Sequence, residues 1–305
     1  MKPSRFKKPF SIAALLAGLT VLLSGCSDQY PVLNPVGPVG QEELHLIKLS
    51  TVLVAIVIIP VLILLAIIVY RYRDKKGNTA PYQPNWDHST KLEYLWWGIP
   101  IVIIAILGTF TAKSTFSLTK PPVESADIKP LVIQVTSLDW KWVFTYPDQK
   151  IATVNYAEIP AGVPVQFQLT ADSPMNSFWI PALGGQEYAM PGMDMRLWLQ
   201  ADKIGTFDGN GANFTGEGFA HMDFKVVSKS EADFNAWVSD VKKNSPALTV
   251  DGYNKLTEKG TAEPQTFSSY PEGLYENTVD KNGGMYMKHD MSNMSGMENM
   301  PSMAK

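Results

Sequence analysis

Two long apolar runs constrain this chain more than any other feature, because each is long enough to cross a lipid bilayer. The first, Ser50–Tyr70, contains 21 residues without a charge, which is the length that a membrane-spanning helix needs. The second, Leu95–Phe110, reaches that length when a few residues are added at each end. Residues 44–118 are therefore predicted to form a hairpin of two membrane helices.

The loop between the two runs, about residues 71–92, carries an excess of Lys and Arg over Asp and Glu. Positive charge of this kind is typical of loops that stay in the cytoplasm. With the loop inside, the N-terminal part of the chain and everything after about Lys120 lie on the outer side of the membrane. The large C-terminal part is thus predicted to be periplasmic in a bacterial inner-membrane protein.

The first 25 residues have the features of a secretory signal peptide. Four positive charges precede an apolar stretch from Phe10 to Leu23, which is too short to span a bilayer comfortably. The stretch ends in Leu22–Cys26, a pattern that resembles the bacterial lipobox, with small residues just before the cysteine. The alternative is an ordinary signal peptide followed by a chance cysteine. The agreement of charge, length and lipobox favours a lipoprotein whose mature chain begins at Cys26 with attached diacylglycerol and an N-acyl chain such as palmitate. Residues 26–43 would then form a periplasmic N-terminal segment.

Cys26 is the only cysteine among the 305 residues, so the exported part has no internal disulfide and depends on core packing. From Lys120 onward, 15 Lys and Arg stand against 23 Asp and Glu, a net charge of −8, compared with −3 for the whole chain. An acidic exported part argues against nucleic acid as a partner.

The exported part begins as an all-β domain and ends in helices. Many short runs rich in β-forming residues, separated by Gly, Pro, Asn and Asp, predict a sandwich over residues 119–229. After Ser230 the spacing becomes helical, with Phe234 and Trp237 on one face, and this predicts a helical extension over residues 230–283. The predicted strand runs are Leu131–Ser137, Lys141–Tyr146, Ile151–Asn155, Pro164–Thr170, Phe178–Ile180, Met195–Ala201 and His221–Val227.

Four segments, taken in order, resemble those of a known family. They are Ser137–Phe144, with its aromatic strand, Pro174–Gly184, Tyr188–Gly192 and Gly205–Met222. Together with the hairpin, they resemble subunit II of the haem-copper respiratory oxidases. Their residues are most similar to those of the cytochrome bo-type ubiquinol oxidases. The resemblance covers about residues 20–280 and implies a cupredoxin-like sandwich.

The second and fourth of these segments carry the ligands of a bridged copper pair in the cytochrome c oxidases of this family. This chain departs from that pattern. Asn176 and Phe219 replace the two histidines, Gly211 and Thr215 replace the two cysteines, and Asn213 takes the position that gives a backbone carbonyl. Only Met222 matches. Copper centres of this type need thiolates, and Cys26 is committed to lipid, so no metal site is expected in the sandwich. His221 is interpreted as an exposed loop histidine.

Loss of the copper relay is typical of the quinol-oxidising branch. The resemblance implies a subunit of a proton-pumping terminal ubiquinol oxidase, in which this chain holds no cofactor and is not catalytic alone. The implied partners are subunits I, III and IV and the membrane lipid. Subunit I would carry two haems and copper, ubiquinol would be the substrate of the complex, and cytochrome c would not be the electron donor.

Glu93 matches a family position at the cytoplasmic mouth of a proton-uptake pathway. A carboxylate there collects protons from the cytoplasm, although an interfacial charge that only sets helix depth is the alternative. Trp140 and Trp142, two residues apart, are predicted to share a strand face and to serve in packing.

The last segment, residues 284–305, is predicted to be disordered. It holds seven of the thirteen methionines, and thioethers suit Cu(I). The alternative function is therefore a free-standing, membrane-tethered, cupredoxin-like module that binds copper through this Met-rich tail.

Overall fold

The computed structural model describes residues 30–81, 83–122, 125 and 127–286. The predicted signal peptide, Cys26 and nearly all of the Met-rich tail lie outside the described residues. The chain divides into two compact units, Met1–Ala126 with Pro181–Gly185, and Asp127–Ile180 with Gln186–Lys305.

The first unit is built on a pair of long helices, α1 (Pro38–Arg71) and α2 (Thr90–Leu118). Among the described residues, these are the helices whose length and apolar composition suffice to cross a membrane. Most of their Val, Leu and Ile side chains are exposed, as expected for helices whose surroundings are lipid rather than a water-soluble core. Pro60 and Pro100 lie inside the two helices.

Helix α1 begins earlier than the apolar run. Pro38 occupies the first helical position after Gly37, where the missing N–H of proline costs nothing. The predicted boundary between residues 43 and 44 therefore falls inside a helix, and the last part of the predicted N-terminal segment is helical.

The start of α1 is held by the segment Pro181–Gly185, which belongs to the same unit. The N–H of Gly40 donates to the carbonyl of Leu183 (3.0 Å), and the N–H of Gly185 donates to the Glu43 carboxylate (2.8 Å). First-turn N–H groups have no partner within their own helix, so the segment supplies the missing acceptor for Gly40. On the neighbouring helix, the buried Ser114 hydroxyl donates to the Glu42 carboxylate (2.5 Å).

In the described part of the second unit, twelve strands form a cupredoxin-like sandwich of two sheets. One sheet has the order β11-β3-β2-β1-β5-β8-β12 and the other the order β4-β10-β9-β6-β7. The pairs β1·β5 and β4·β10 are parallel, and most of the others are antiparallel. The strands are β1 (Leu131–Leu138), β2 (Lys141–Tyr146), β3 (Ile151–Val154), β4 (Tyr156–Pro160), β5 (Val165–Ala171), β6 (Asn176–Trp179), β7 (Glu187–Ala189), β8 (Met193–Leu199), β9 (Gly205–Gly211), β10 (Asp223–Lys229), β11 (Gln265–Phe267) and β12 (Met285–Tyr286).

Aromatic rings from both sheets meet in the core of the sandwich. Trp142 of β2 packs edge-on against Phe178 of β6, with ring centroids 5.3 Å apart, and Phe178 stacks on Phe224 of β10 at 4.9 Å. All three side chains are buried, and pairs of this geometry add to the stabilisation given by burial alone. Each of the seven predicted strand runs overlaps one of these strands.

The C-terminal extension contains α3 (Glu231–Asn244), α4 (Val250–Thr257) and α5 (Leu274–Lys281). Ser230 caps α3 by accepting from the N–H of Asp233, and the predicted helix is confirmed. The extension is nevertheless not purely helical. Strand β11 joins β3, and β12, which lies in the segment predicted to be disordered, joins β8. Open sheet edges attract further strands, which explains why these two short runs are ordered.

A substitution at Gly192 tests how firmly the end of the C-terminal extension is held against the sandwich. It has φ +72°, and a Cβ at this position would overlap the backbone carbonyl of Asn282. Gly162 has nearly the same φ, +76°, with nothing within 4 Å of a Cβ. We expect Gly162→Ala to lower the free energy of unfolding by about 1–2 kcal/mol, the cost of a left-handed backbone. Gly192→Ala should lower it by about 4 kcal/mol, since backbone atoms must also move.

Thermal unfolding of the detergent-solubilised protein, followed by circular dichroism, measures both variants. Equal losses for the two substitutions would show that the extension is not held against Gly192.

Candidate functional site

Three of the six positions that correspond to the family's copper ligands lie where three neighbouring strands of the second sheet end. Asn176 begins β6, Gly211 ends β9, and Met222 directly precedes β10. Because β9 pairs with both β6 and β10, these residues are brought together in the fold.

Asn176 and Met222 fill the centre of this site. The Asn176 amide nitrogen lies 2.7 Å from the Met222 sulfur, and its oxygen accepts from the N–H of Ser177 at 2.7 Å. Both side chains are almost completely buried. A Cβ on Gly211 would lie 3.1 Å from the amide oxygen and 3.4 Å from the sulfur, so glycine leaves this space to the Asn–Met pair. The amide thus has partners at both ends without any metal.

The other three positions lie on the loop that joins β9 to β10, and internal contacts hold each of them. Asn213 donates to the carbonyl of Met175 (3.1 Å), and the Phe219 ring packs on Phe214 with centroids 5.6 Å apart. The carbonyl of Thr215 accepts from the Trp140 indole (3.3 Å), whereas its buried hydroxyl has no hydrogen-bond partner among the described residues. His221 is exposed in the turn before Met222, as the sequence predicted.

Trp140 and Trp142 do not share a strand face, so that prediction is wrong. Trp140 lies in the turn between β1 and β2 with φ 66°, and a positive φ at this residue breaks the alternation of a strand. Its ring lies against Gly218, where any Cβ would overlap it. Both tryptophans are buried, which confirms their predicted role in packing.

The C-terminal extension covers the turn that holds Trp140. The Lys259 ammonium lies 4.9 Å from the centroid of the Trp140 ring, and the Lys141 ammonium donates to the carbonyls of Leu256 (2.8 Å) and Glu258 (2.6 Å). Burial lowers the pKa of Lys141, while the nearby Asp139 and Glu258 carboxylates oppose that change. The sequence does not predict this cover, because nothing in its pattern pairs Lys141 with residues more than a hundred positions away.

Glu93, the other predicted site residue, lies in the first turn of α2. Its carboxylate is 3.0 Å from the Nδ1 atom of His88, and the Nε2 atom of the same imidazole is 3.1 Å from the Thr90 hydroxyl. The His88 and Glu93 side chains are 60% and 41% exposed. The sequence prediction named Glu93 alone, although the position of His88 just before the helix was a signal that the two side chains meet.

Comparison with known proteins identifies the family. Residues 147–229 match the family model described as cytochrome c oxidase subunit II, periplasmic domain. Over 269 residues the chain is 46% identical to quinol oxidase subunit 2 of Bacillus cereus, an alignment that covers 87% of this chain and 92% of the relative. The chain belongs to the quinol oxidase subunit 2 family. It is also 43% identical over 286 residues to cytochrome bo(3) ubiquinol oxidase subunit 2 of Pseudomonas putida, covering 93% of this chain and 90% of that one.

Among solved structures, the periplasmic domain of cytochrome oxidase subunit II from Bradyrhizobium japonicum is similar, at 26% identity and a TM-score of 0.36. The match covers 37% of this chain and 94% of that domain. As a member of the quinol oxidase subunit 2 family, the chain is a membrane-anchored protein with a periplasmic cupredoxin-like domain.

The donor atoms present in this chain do not fit the copper pair of the cytochrome c oxidase subunits. Glycine offers no donor, and a threonine hydroxyl and an aromatic ring do not replace thiolate and imidazole. Of the six positions, Met222 alone keeps a soft donor side chain, and its sulfur already faces the Asn176 amide. Among the described residues, no three His, Cys, Asp or Glu side chains lie close enough together to hold a metal ion.

Proposed function

We propose that this chain is subunit II of a proton-pumping terminal oxidase that oxidises ubiquinol and reduces oxygen to water. In this proposal the chain itself carries no electrons. It braces the catalytic subunit, covers that subunit's periplasmic face and contributes Glu93 to proton uptake from the cytoplasm. The names of the related proteins from Bacillus and Pseudomonas support the assignment to a quinol oxidase.

The observation that carries the proposal is the buried Asn176–Met222 contact in the place of a copper centre. A water-soluble electron donor must deliver electrons at the surface of the exported domain, and a relay has to be present there. Ubiquinol is lipophilic and delivers electrons within the membrane, so an exported relay is not required.

Membership of the oxidase family supports the partners that we propose. Subunit I would hold a low-spin haem, a high-spin haem and copper, and subunits III and IV would complete the complex. The exposed apolar surfaces of α1 and α2 supply the area for packing against partner helices and lipid.

Purification in detergent through a tag on this chain tests the proposal. We expect a large polytopic partner and haem to co-purify and the preparation to consume oxygen when ubiquinol is added. Recovery of a lone, haem-free protein that binds copper would instead favour the alternative function, a tethered copper-binding module that uses the Met-rich tail.

We also propose that Cys26 carries lipid, which makes the protein a multi-pass lipoprotein of the bacterial inner membrane. Two membrane helices already hold the chain in the bilayer, so the lipid adds little to anchoring. We expect Cys26→Ala, processed by an alternative signal peptidase, to assemble an oxidase with unchanged turnover. Haem content and oxygen uptake of isolated membranes measure this, and failure to assemble would show that the lipid is structural.

A further inference from the structure

The segment at the end of α1, residues 71–78 (the basic turn), carries four cationic side chains and one acidic side chain, a net charge of +3. All five residues are exposed. In the part of the chain that the structure describes, no carboxylate forms an ion pair with any of the four cations. Because the two helices cross the membrane and the sandwich is periplasmic, the basic turn lies at the cytoplasmic surface, beside the lipid headgroups. The cations are Arg71, Arg73, Lys75 and Lys76, and the acid is Asp74.

Asn78 fixes the backbone of the basic turn. Its amide nitrogen donates to the carbonyls of Arg71 (3.2 Å) and Arg73 (2.9 Å), and its backbone N–H donates to the carbonyl of Lys75 (3.0 Å). Gly77 has φ +79°, a left-handed conformation that favours glycine and lets the chain turn back at this point. An excess of positive charge keeps a loop in the cytoplasm whatever the shape of the loop. A backbone that is fixed at three cationic residues therefore indicates a further role, in binding.

The guanidinium of Arg73 lies at the level of the lipid headgroups. Its central carbon is 4.2 Å from the centroid of the Tyr70 ring, at the end of α1. Tyr70 and Tyr72 are both exposed, and tyrosines at the end of an apolar run are typical of the headgroup region of a membrane. A guanidinium donates two parallel N–H groups to one phosphate. Arg73 is therefore placed to bind the phosphate of a lipid.

We propose that the basic turn is a binding site for the headgroup of an anionic phospholipid in the cytoplasmic leaflet. Arg73 binds the phosphodiester, and Lys75 and Lys76 favour a lipid whose phosphate charge is not cancelled by a cation in its own headgroup. The exposed apolar surface of α1 just before the turn provides a place for the acyl chains, which a soluble phosphate would not use. This inference does not rest on the proposed function, because it involves neither the electron donor nor Glu93.

Native mass spectrometry measures the binding of added phosphatidylglycerol, which is anionic, and phosphatidylcholine, which is zwitterionic. The protein is purified in detergent with the subunits that accompany it. One Lys near an anionic headgroup strengthens binding about fivefold, so two lysines should give the unaltered protein a preference of about 25-fold for phosphatidylglycerol. We expect the double substitution Lys75→Gln and Lys76→Gln to bind the two lipids within about twofold of each other, since it removes both contributions.

Asn78→Ala tests whether the fixed turn matters, because it leaves every charge in place. We expect its preference for phosphatidylglycerol to fall to about fivefold, since cations that are no longer held together lose the benefit of preorganisation. The matched control is the double substitution Lys242→Gln and Lys243→Gln in α3, which removes two adjacent, exposed lysines from the exported domain. It should keep the full preference.

Several results would overturn the inference. One is the absence of any preference for phosphatidylglycerol in the unaltered protein. Another is an unchanged preference in Asn78→Ala, which would show that charge alone attracts the lipid and that the turn is not a built site. An equal loss in the α3 control would point to the net charge of the whole protein. Soluble glycerol 3-phosphate at the same concentration should not displace the lipid, and displacement would show a site for free phosphate instead.

Discussion

Introduction of Asn176→His, Gly211→Cys, Thr215→Cys and Phe219→His should turn the exported domain into a copper protein with a thiolate-bridged copper pair. Asn176, Gly211 and Met222 already meet in a buried site, and a Cβ at residue 211 would lie 3.4 Å from the Met222 sulfur. A cysteine there directs its sulfur into the space between the other ligands. Replacement of Asn176 also releases the Met222 sulfur from the amide that now faces it.

The expected product is coloured, because thiolate bound to copper absorbs visible light strongly. Copper analysis and electron paramagnetic resonance of the purified protein measure the result. A variant that keeps Thr215 and carries the other three substitutions is the matched control, since it lacks the second bridging sulfur and should not show the spectrum of the pair. A folded four-residue variant that takes up no copper would show that the loop from Gly211 to Met222 has lost the geometry of a copper site.

Glu93→Gln should slow the assembled oxidase while its haem content stays normal. Glutamine has nearly the same shape and keeps a hydrogen-bond acceptor for His88, but it neither takes up nor releases a proton. Proton-transferring side chains contribute about 10²–10⁴-fold at a reaction centre. Protons can also reach the entrance through water without this side chain. We therefore expect a smaller loss of turnover, of about tenfold.

The matched control is Glu42→Gln, which removes a carboxylate from the same hairpin near the start of α1 and keeps an acceptor for Ser114. It should leave turnover unchanged. Unchanged turnover in Glu93→Gln would leave Glu93 as a charge that only fixes the depth of α2 in the membrane.

Patterns within short stretches of sequence predicted most of the fold. The hairpin could be recognised because an uncharged run of about 20 residues has few alternatives. Helix α3 could be recognised because Ser230 and the apolar spacing after it fix both its start and its buried face. Strands such as β2 could be recognised because nearly all of their residues are β-formers.

Strand β9 was missed because its residues, Gly205–Gly211, are typical of a loop. It is held by its neighbours, with Gly209 facing Phe224 in register, and a glycine is needed there because a Cβ would overlap that ring. Strand β4 was missed because it follows β3 after a single residue, Asn155, with φ 56°. Tertiary context of this kind overrides local propensity.

The candidate sites could be predicted only in part. A motif in chain order located Asn176, Gly211 and Met222, but it did not show that the amide and the thioether contact each other. The positive φ of Trp140 and the cover that the Lys141 and Lys259 contacts provide depend on residues far apart in the sequence. The His88–Glu93 contact depends on how the chain enters α2, which no periodic pattern describes.

The most direct test of the central claim is a spectrum of the purified, active oxidase that contains this chain. Electron paramagnetic resonance, recorded on a preparation that oxidises ubiquinol and consumes oxygen, distinguishes a thiolate-bridged copper pair from the copper that the proposed subunit I would carry. The account predicts full ubiquinol-dependent oxygen uptake, haem in the complex and no signal from a bridged copper pair. A bridged-pair signal, or oxygen uptake that requires cytochrome c instead of ubiquinol, would contradict it.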